Sequence, residues 1–163
     1  MWIKKFTDVN MMKKDIEIRT MKIEDYTEVM DLWKSIKGFR IRAVDDDFEH
    51  IKRFLDRNVG LSVVAVKNNQ IVGTILSGHD GRQATFYHVC VDSKYRGENI
   101  AAKMVKEAIE RVNAEGISKI TLIAFKQNLA GNIFWKSQNW KQNKEINSYE
   151  LVLNEENISS IVA

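Results

Sequence analysis

Between Ala84 and Val112 the hydrophobic period changes from two to 3.6 across a single polar turn, and this change limits what the chain can fold into. Ala84-Thr85-Phe86-Tyr87-His88-Val89-Cys90-Val91 is rich in β-branched and aromatic residues and reads as a strand. Asp92 to Asn99 makes the turn. Ile100, Ala101, Met104, Val105, Ala108, Ile109 and Val112 then fall at i, i+3, i+4 and i+7, which predicts an amphipathic helix stopping near Gly116.

The other elements follow from the same two periods. Ile16-Glu17-Ile18-Arg19 alternates as a short strand; Tyr26, Val29, Met30, Trp33 and Ile36 recur at helical spacing behind the acidic first turn Glu24-Asp25. Asp46-Asp47-Phe48-Glu49 has the shape of a capping box, with Phe48, Ile51 and Leu55 on one face of the helix it opens. Leu61 to Val66 and Gln70 to Leu76 read as hairpin partners around Asn68-Asn69, and Gly78-His79-Asp80-Gly81 is expected to break the sheet before the run at Ala84. Lys119 to Phe125 is a further β-rich run, Asn128 caps a short helix through Phe134 and Trp135, and Tyr149 to Leu153 is expected as the final strand. The order βααβββαβαβ implies a mixed α/β sheet with helices packed on it.

At 163 residues, with 44% hydrophobic and 29% charged residues, the chain can bury one core without a staple. The expected division is an N-terminal extension over residues 1–15 and a single domain over 16–163. Proline is absent, and no Gly/Ser linker or internal repeat interrupts the chain. Cys90 is the only cysteine, so no intrachain disulfide forms and no Cys/His spacing suits zinc; a reducing cytoplasm fits best. No run is long and apolar enough to span a membrane, and no membrane partner is expected. Net charge is +3, with basic residues scattered among acidic ones rather than gathered in a stripe, which argues against nucleic acid as a partner.

The junction between the strand and the helix carries the chemistry. A helix start leaves backbone N–H groups unpaired and has partial positive charge, so the turn before it suits a pyrophosphate. Arg96 adds a positive charge, Gly97 lets the backbone approach closely, and Ala101 leaves room over the first turn.

Val91-Asp92-Ser93-Lys94-Tyr95-Arg96-Gly97-Glu98-Asn99-Ile100-Ala101 resembles the acetyl-CoA pyrophosphate loop of the GNAT superfamily of N-acetyltransferases, Arg/Gln-x-x-Gly-x-Gly/Ala. Asn99 stands where that family usually has glycine, and Ser93 where proline is common; asparagine tolerates left-handed angles at modest cost. Asn128-Leu129-Ala130-Gly131-Asn132-Ile133-Phe134-Trp135-Lys136 resembles the family's fourth-helix segment, with Phe134-Trp135 in place of the usual Phe-Tyr. The resemblance implies a GNAT-like α/β fold with a central mixed, mostly antiparallel sheet flanked by helices. It also implies an acyltransferase that moves acetyl from acetyl-CoA to a primary amine by direct transfer in a ternary complex. The amine would belong to a small molecule or a peptide, with a homodimer left open. Its cofactor residues would be Val89, Cys90 and Val91, pairing with pantetheine through their backbone, together with Arg96, Gly97, Glu98, Asn99, Ile100, Ala101, Asn128 and Trp135. The rival reading is a catalytically idle acyl-CoA-binding or regulatory module.

Other residues have competing explanations. His88 is the candidate general base because an imidazole titrates near neutrality, although a partly buried strand histidine with a backbone partner explains it as well. His79 beside Asp80 reads as a solvated turn, and Cys90 as a small apolar residue without a nucleophilic role. Asp45-Asp46-Asp47 with Glu49 would attract a cationic amine, yet helix capping accounts for the same residues. Trp33, Phe39 and Phe54 are candidates for an acceptor wall, against the usual explanation that such aromatics are core.

Overall fold

A computed structural model describes residues 15–163. In chain order the elements are β1 (Glu17–Thr20), α1 (Tyr26–Ser35), β2 (Arg40–Arg42), α2 (Phe48–Arg57), β3 (Val63–Lys67), β4 (Gln70–His79) and β5 (Ala84–Val91). They continue with α3 (Ile100–Ala114), β6 (Ile120–Leu122), α4 (Leu129–Ser137) and β7 (Ser159–Ile161), with short 3-10 turns at Ile23–Asp25 and Ser93–Tyr95. Apart from the short β2, this is the order expected from periodicity. The N-terminal extension, Asp15 excepted, lies outside the described residues. No helix among the described residues is long and apolar enough to cross a membrane.

Five strands form one mixed sheet in the order β1-β3-β4-β5-β6. The first three pairings are antiparallel, and β5 runs parallel to β6. Strand alternation sends neighbouring residues of β3 to opposite faces: Val63 and Ala65 join the core under α3, and Val64 joins the core under α1 and α2. With both faces covered, β4 is buried from Ile71 to Gly78, which explains its nearly continuous apolar run. Helix α3 lies close against that strand, and a Cβ on Gly73 would stand 2.7 Å from Met104 Cε.

Three sequence expectations need correction. Gly78 does not break the sheet, since β4 continues to His79. Its missing side chain serves packing, because a Cβ there would meet Asn58 Nδ2 at 2.7 Å and Phe54 Cζ at 2.8 Å. The turn comes at Asp80, whose Oδ1 accepts from the N–H groups of Arg82 and Gln83 at 2.8 and 2.9 Å.

The second correction concerns the C-terminus. Tyr149 to Leu153 is not a strand and pairs with no element among the described residues. The last strand is β7, which pairs antiparallel with β2 in a separate two-stranded sheet, Arg40 opposite Ile161 and Arg42 opposite Ser159. Polar bonds extend this clamp: Asn157 Oδ1 accepts from the N–H groups of Val44 and Asp45 at 3.1 and 3.0 Å. The Lys119 to Phe125 run is also shorter as a strand, with only Ile120–Leu122 paired.

Candidate active site

Strand β5 pairs with β6 at Ala84, Thr85 and Phe86, then continues alone to Val91. Beyond Phe86 the two parallel strands separate, and the β6-facing edge of Tyr87 to Val91 is unpaired. Its other edge remains on β4, with Thr74 opposite Cys90 and Gly73 opposite Val91. The register between β4 and β5 slips between Thr74 and Leu76, and His88 at that bulge has a left-handed φ of 48°. A non-glycine residue in this region carries local strain, which persists only where surrounding contacts hold it.

His88 is held on all sides. Its carbonyl accepts from Thr74 Oγ1 at 2.8 Å, and Thr74 Oγ1 in turn accepts from Trp33 Nε1 at 3.0 Å. The imidazole lies 4.4 Å from the Trp33 ring and 5.0 Å from the Phe39 ring, centroid to centroid. Its Nε2 stands 2.7 Å from Asp46 Oδ1. Asp46 is only 4% exposed; its second oxygen accepts from the Arg42 N–H at 2.7 Å, and its carbonyl accepts from the Tyr26 hydroxyl at 2.9 Å.

An ionised carboxylate only accepts, so a neutral imidazole bonded to it through Nε2 carries its proton there and its lone pair on Nδ1. Nδ1 has no hydrogen-bond partner among the described residues. A carboxylate that fixes the tautomer and orients the ring for work at the other nitrogen is a recurrent arrangement in proton transfer.

This separates the roles of the three aspartates. Asp47 is the N-cap of α2, accepting from the His50 N–H at 2.8 Å; Asp45 bonds to the Asn157 side chain at 2.8 Å; and Asp46 is buried against His88. Capping therefore explains Asp47 alone. Trp33 is fully buried core, Phe39 touches the His88 ring, and Phe54 packs edge-on against Tyr87. His79 ends β4, with its Nδ1 accepting from the Gly81 N–H at 2.9 Å. Cys90 is 3.3 Å from Thr74 Oγ1, and burial pushes its thiol up to about 11, unlike a nucleophile.

At the end of β5 the chain turns through Ser93–Tyr95 into α3. Gly97 has φ 82° and open space where a Cβ would be. Asn99, the N-cap of α3, has φ 63° and ψ 22°, the left-handed angles expected of the residue that replaces glycine. Its side chain makes no capping bond, and the Lys103 N–H is the donor that reaches the Asn99 carbonyl. The first-turn N–H groups at Ile100 and Ala101 thus have no side-chain cap among the described residues, and an uncapped helix start is suited to an anion. The exposed Arg96 guanidinium has no ion-pair or hydrogen-bond partner among the described residues, whereas Glu98 is tied to Lys67.

Helix α4 is capped by Asn128, whose Oδ1 accepts from the Gly131 N–H at 2.9 Å, so that oxygen is engaged in capping. Trp135 stands edge-on to Phe134 and to Trp140, with centroids 5.0 and 4.9 Å apart. It packs against the same core that receives Val89, Val91 and Tyr95. Two connections had no signal in the sequence: the Asp46–His88 pair and the Lys67–Glu98 tie. Each links distant segments by tertiary packing.

A sequence model of the acetyltransferase (GNAT) family matches residues 26–140, from the start of α1 to Trp140. Solved structures share the fold at low identity. An aminoglycoside acetyltransferase from an uncultured soil metagenomic sample, in complex with sisomicin, is 20% identical with a TM-score of 0.68, covering 85% of this chain and 97% of its own. The PaiA N-acetyltransferase from Thermoplasma acidophilum, in complex with coenzyme A, is 18% identical with a TM-score of 0.67, covering 76% and 88%. A GNAT-family acetyltransferase from Staphylococcus aureus Mu50 is 22% identical with a TM-score of 0.69, covering 80% and 87%. The family match includes the split strands, the left-handed turn and the uncapped helix start, and the chain belongs to the acetyltransferase (GNAT) family, enzymes that take their acyl group from acetyl-CoA.

Proposed function

We propose that the protein transfers an acetyl group from acetyl-CoA directly to a primary amine in a ternary complex, with His88 as general base and Asp46 positioning it. The observation that carries this reading is the buried Asp46 carboxylate on His88 Nε2 at a strained bulge, in the part of β5 that has left β6.

Each residue has a defined part. The uncapped N–H groups at Ile100 and Ala101, with Gly97, Glu98 and Asn99 of the turn and the exposed Arg96 guanidinium, suit a pyrophosphate. The open backbone edge of Val89, Cys90 and Val91 suits an extended amide chain, which would pair as a short added strand. Trp135 and Asn128 are the remaining residues assigned to the cofactor. Acetyl-CoA, when bound, supplies the thioester carbonyl that the amine attacks. His88 Nδ1, directly or through one water, takes the proton that the ammonium must lose before its nitrogen lone pair is available. Asp46 then stabilises the imidazolium. Holding donor and acceptor side by side contributes by proximity.

Amine acceptors are compatible with the neighbours' bound molecules: one is an aminoglycoside acetyltransferase complexed with sisomicin. The test is release of free thiol from acetyl-CoA across a panel of small amines and N-terminal peptides. Turnover with at least one amine, abolished in His88→Ala, supports the proposal. A large acetyl-CoA-induced rise in melting temperature with no turnover on any amine would favour the idle-module reading.

A further inference from the structure

Glu98 poses a charge problem for the turn it belongs to. It sits between two left-handed residues, Gly97 at φ 82° and Asn99 at φ 63°, directly before the uncapped start of α3. Its backbone serves the turn, but a carboxylate there repels the anion that the helix start and Arg96 attract. The one ion-pair partner of that carboxylate among the described residues is Lys67, whose Nζ is tied to Glu98 Oε1.

Lys67 reaches the turn from a distant element. It is the last residue of β3, opposite Gln70 across the two-residue hairpin turn Asn68-Asn69, both of positive φ. Its side chain is only 15% exposed, and the ammonium also stands 5.5 Å from the centre of the Tyr95 ring. The partner strand of the same hairpin holds the start of the turn, where the Asp92 N–H donates to the Val72 carbonyl at 2.8 Å. The hairpin thus fastens the turn at Asp92, and Lys67 meets it again at Tyr95 and Glu98.

We infer that Lys67 is a positioning residue for acetyl-CoA, whose ammonium cancels the Glu98 carboxylate and leaves the Arg96 charge and the helix start unopposed toward the pyrophosphate. An ion pair this close to solvent adds little to folding, so its effect falls on the bound anion. A purely mechanical tie would make Glu98 as necessary as Lys67. Neutralisation instead makes Glu98 harmful once Lys67 is gone. This role depends on the pyrophosphate lying at the turn, as proposed above.

The experiment measures the affinity of the full chain for CoA by calorimetry, which requires no turnover and no known amine. Lys67→Met should weaken CoA about tenfold at low salt, with the gap to wild type narrowing as salt screens the carboxylate. Lys67→Arg should keep most of the affinity. Glu98→Gln alone should tighten CoA, and Lys67→Met/Glu98→Gln should recover most of what Lys67→Met loses. Unchanged affinity in Lys67→Met, or a double variant as weak as Lys67→Met, overturns the inference. So does weaker binding in Glu98→Gln, which tests the same charge with the lysine intact should Lys67→Met fail to fold. Arg96→Ala separates the two levels. Its loss of affinity beside an indifferent Lys67→Met overturns the role of Lys67 alone, whereas indifference in both places the pyrophosphate elsewhere and overturns the site as well.

Discussion

Asp46 Oδ1 lies 2.7 Å from His88 Nε2, across a sequence separation of 42 residues. The histidine comes from the bulge of β5, and the aspartate from the turn between β2 and α2 that β7 and Asn157 hold in place. With the carboxylate on Nε2, Nδ1 is the nitrogen that the proposed base would use. His88→Ala is expected to lower kcat by about 10²–10³-fold, the usual size of a lost acid–base group. Asp46→Asn should lower kcat by about tenfold, with KM for acetyl-CoA nearly unchanged in both variants. Steady-state kinetics checks this split: a loss confined to KM would make the pair a structural support.

Asn99 is predicted to be replaceable only by residues that accept positive φ. Asn99→Gly should leave stability within about 1 kcal/mol of the wild type and keep or improve acetyl-CoA affinity. Asn99→Val should cost about 1–2 kcal/mol, since a β-branched side chain is strongly disfavoured at these angles. Thermal melting with and without acetyl-CoA distinguishes the two. Weaker binding in the glycine variant would show instead that the Asn99 side chain contacts the ligand.

Trp135 stands where many family members have tyrosine, and an indole N–H donates without titrating in the relevant range. A thiol leaving group with a pKa of roughly 8.5 departs readily at neutral pH, so the reaction does not require an acid there. Trp135→Phe is therefore expected to keep kcat within about tenfold, with any penalty in KM through altered packing on Phe134 and Trp140. A thousandfold fall in kcat with acetyl-CoA binding intact would instead make Trp135 a proton donor.

Acid sensitivity should come in part from Asp25. Burial raises its carboxyl, but the paired bonds from Arg19 at 2.8 and 2.9 Å and the Lys22 N–H at 2.8 Å outweigh this and hold it below 3.8. A depressed folded value contributes stability above the unfolded value and loses it as pH falls through the folded one. Asp25→Asn should therefore cost about 1–2 kcal/mol at pH 7, and the gap to wild type should close below pH 3.8. Urea unfolding at pH 7 and pH 3 checks it; an equal gap at both would exclude ionisation as the source.

Local chemistry was legible wherever neighbours in sequence are neighbours in space. The left-handed Asn99 and the helix from Ile100 follow from one contiguous stretch, as do the Asn68-Asn69 hairpin and the Asn128 cap. These depend on backbone angles and i, i+3 or i, i+4 contacts, which residue type and spacing specify. Gly78 misled because a glycine needed for close packing reads the same as one needed for a turn.

The sequence by itself determined the element order apart from β2, the hairpin at Asn68-Asn69 and the left-handed turn before α3, because periodicity and turn residues act over a few positions. Tertiary structure alone decided that Asp46 of the acidic cluster meets His88, that Lys67 ties down Glu98, and that β7 rather than Tyr149 to Leu153 becomes the last paired strand. Tyr149 to Leu153 has strand composition, but a strand exists only where an edge accepts its hydrogen bonds. Strand β2 offers that edge to Ser159–Ile161, and Tyr149 to Leu153 pairs with no edge among the described residues.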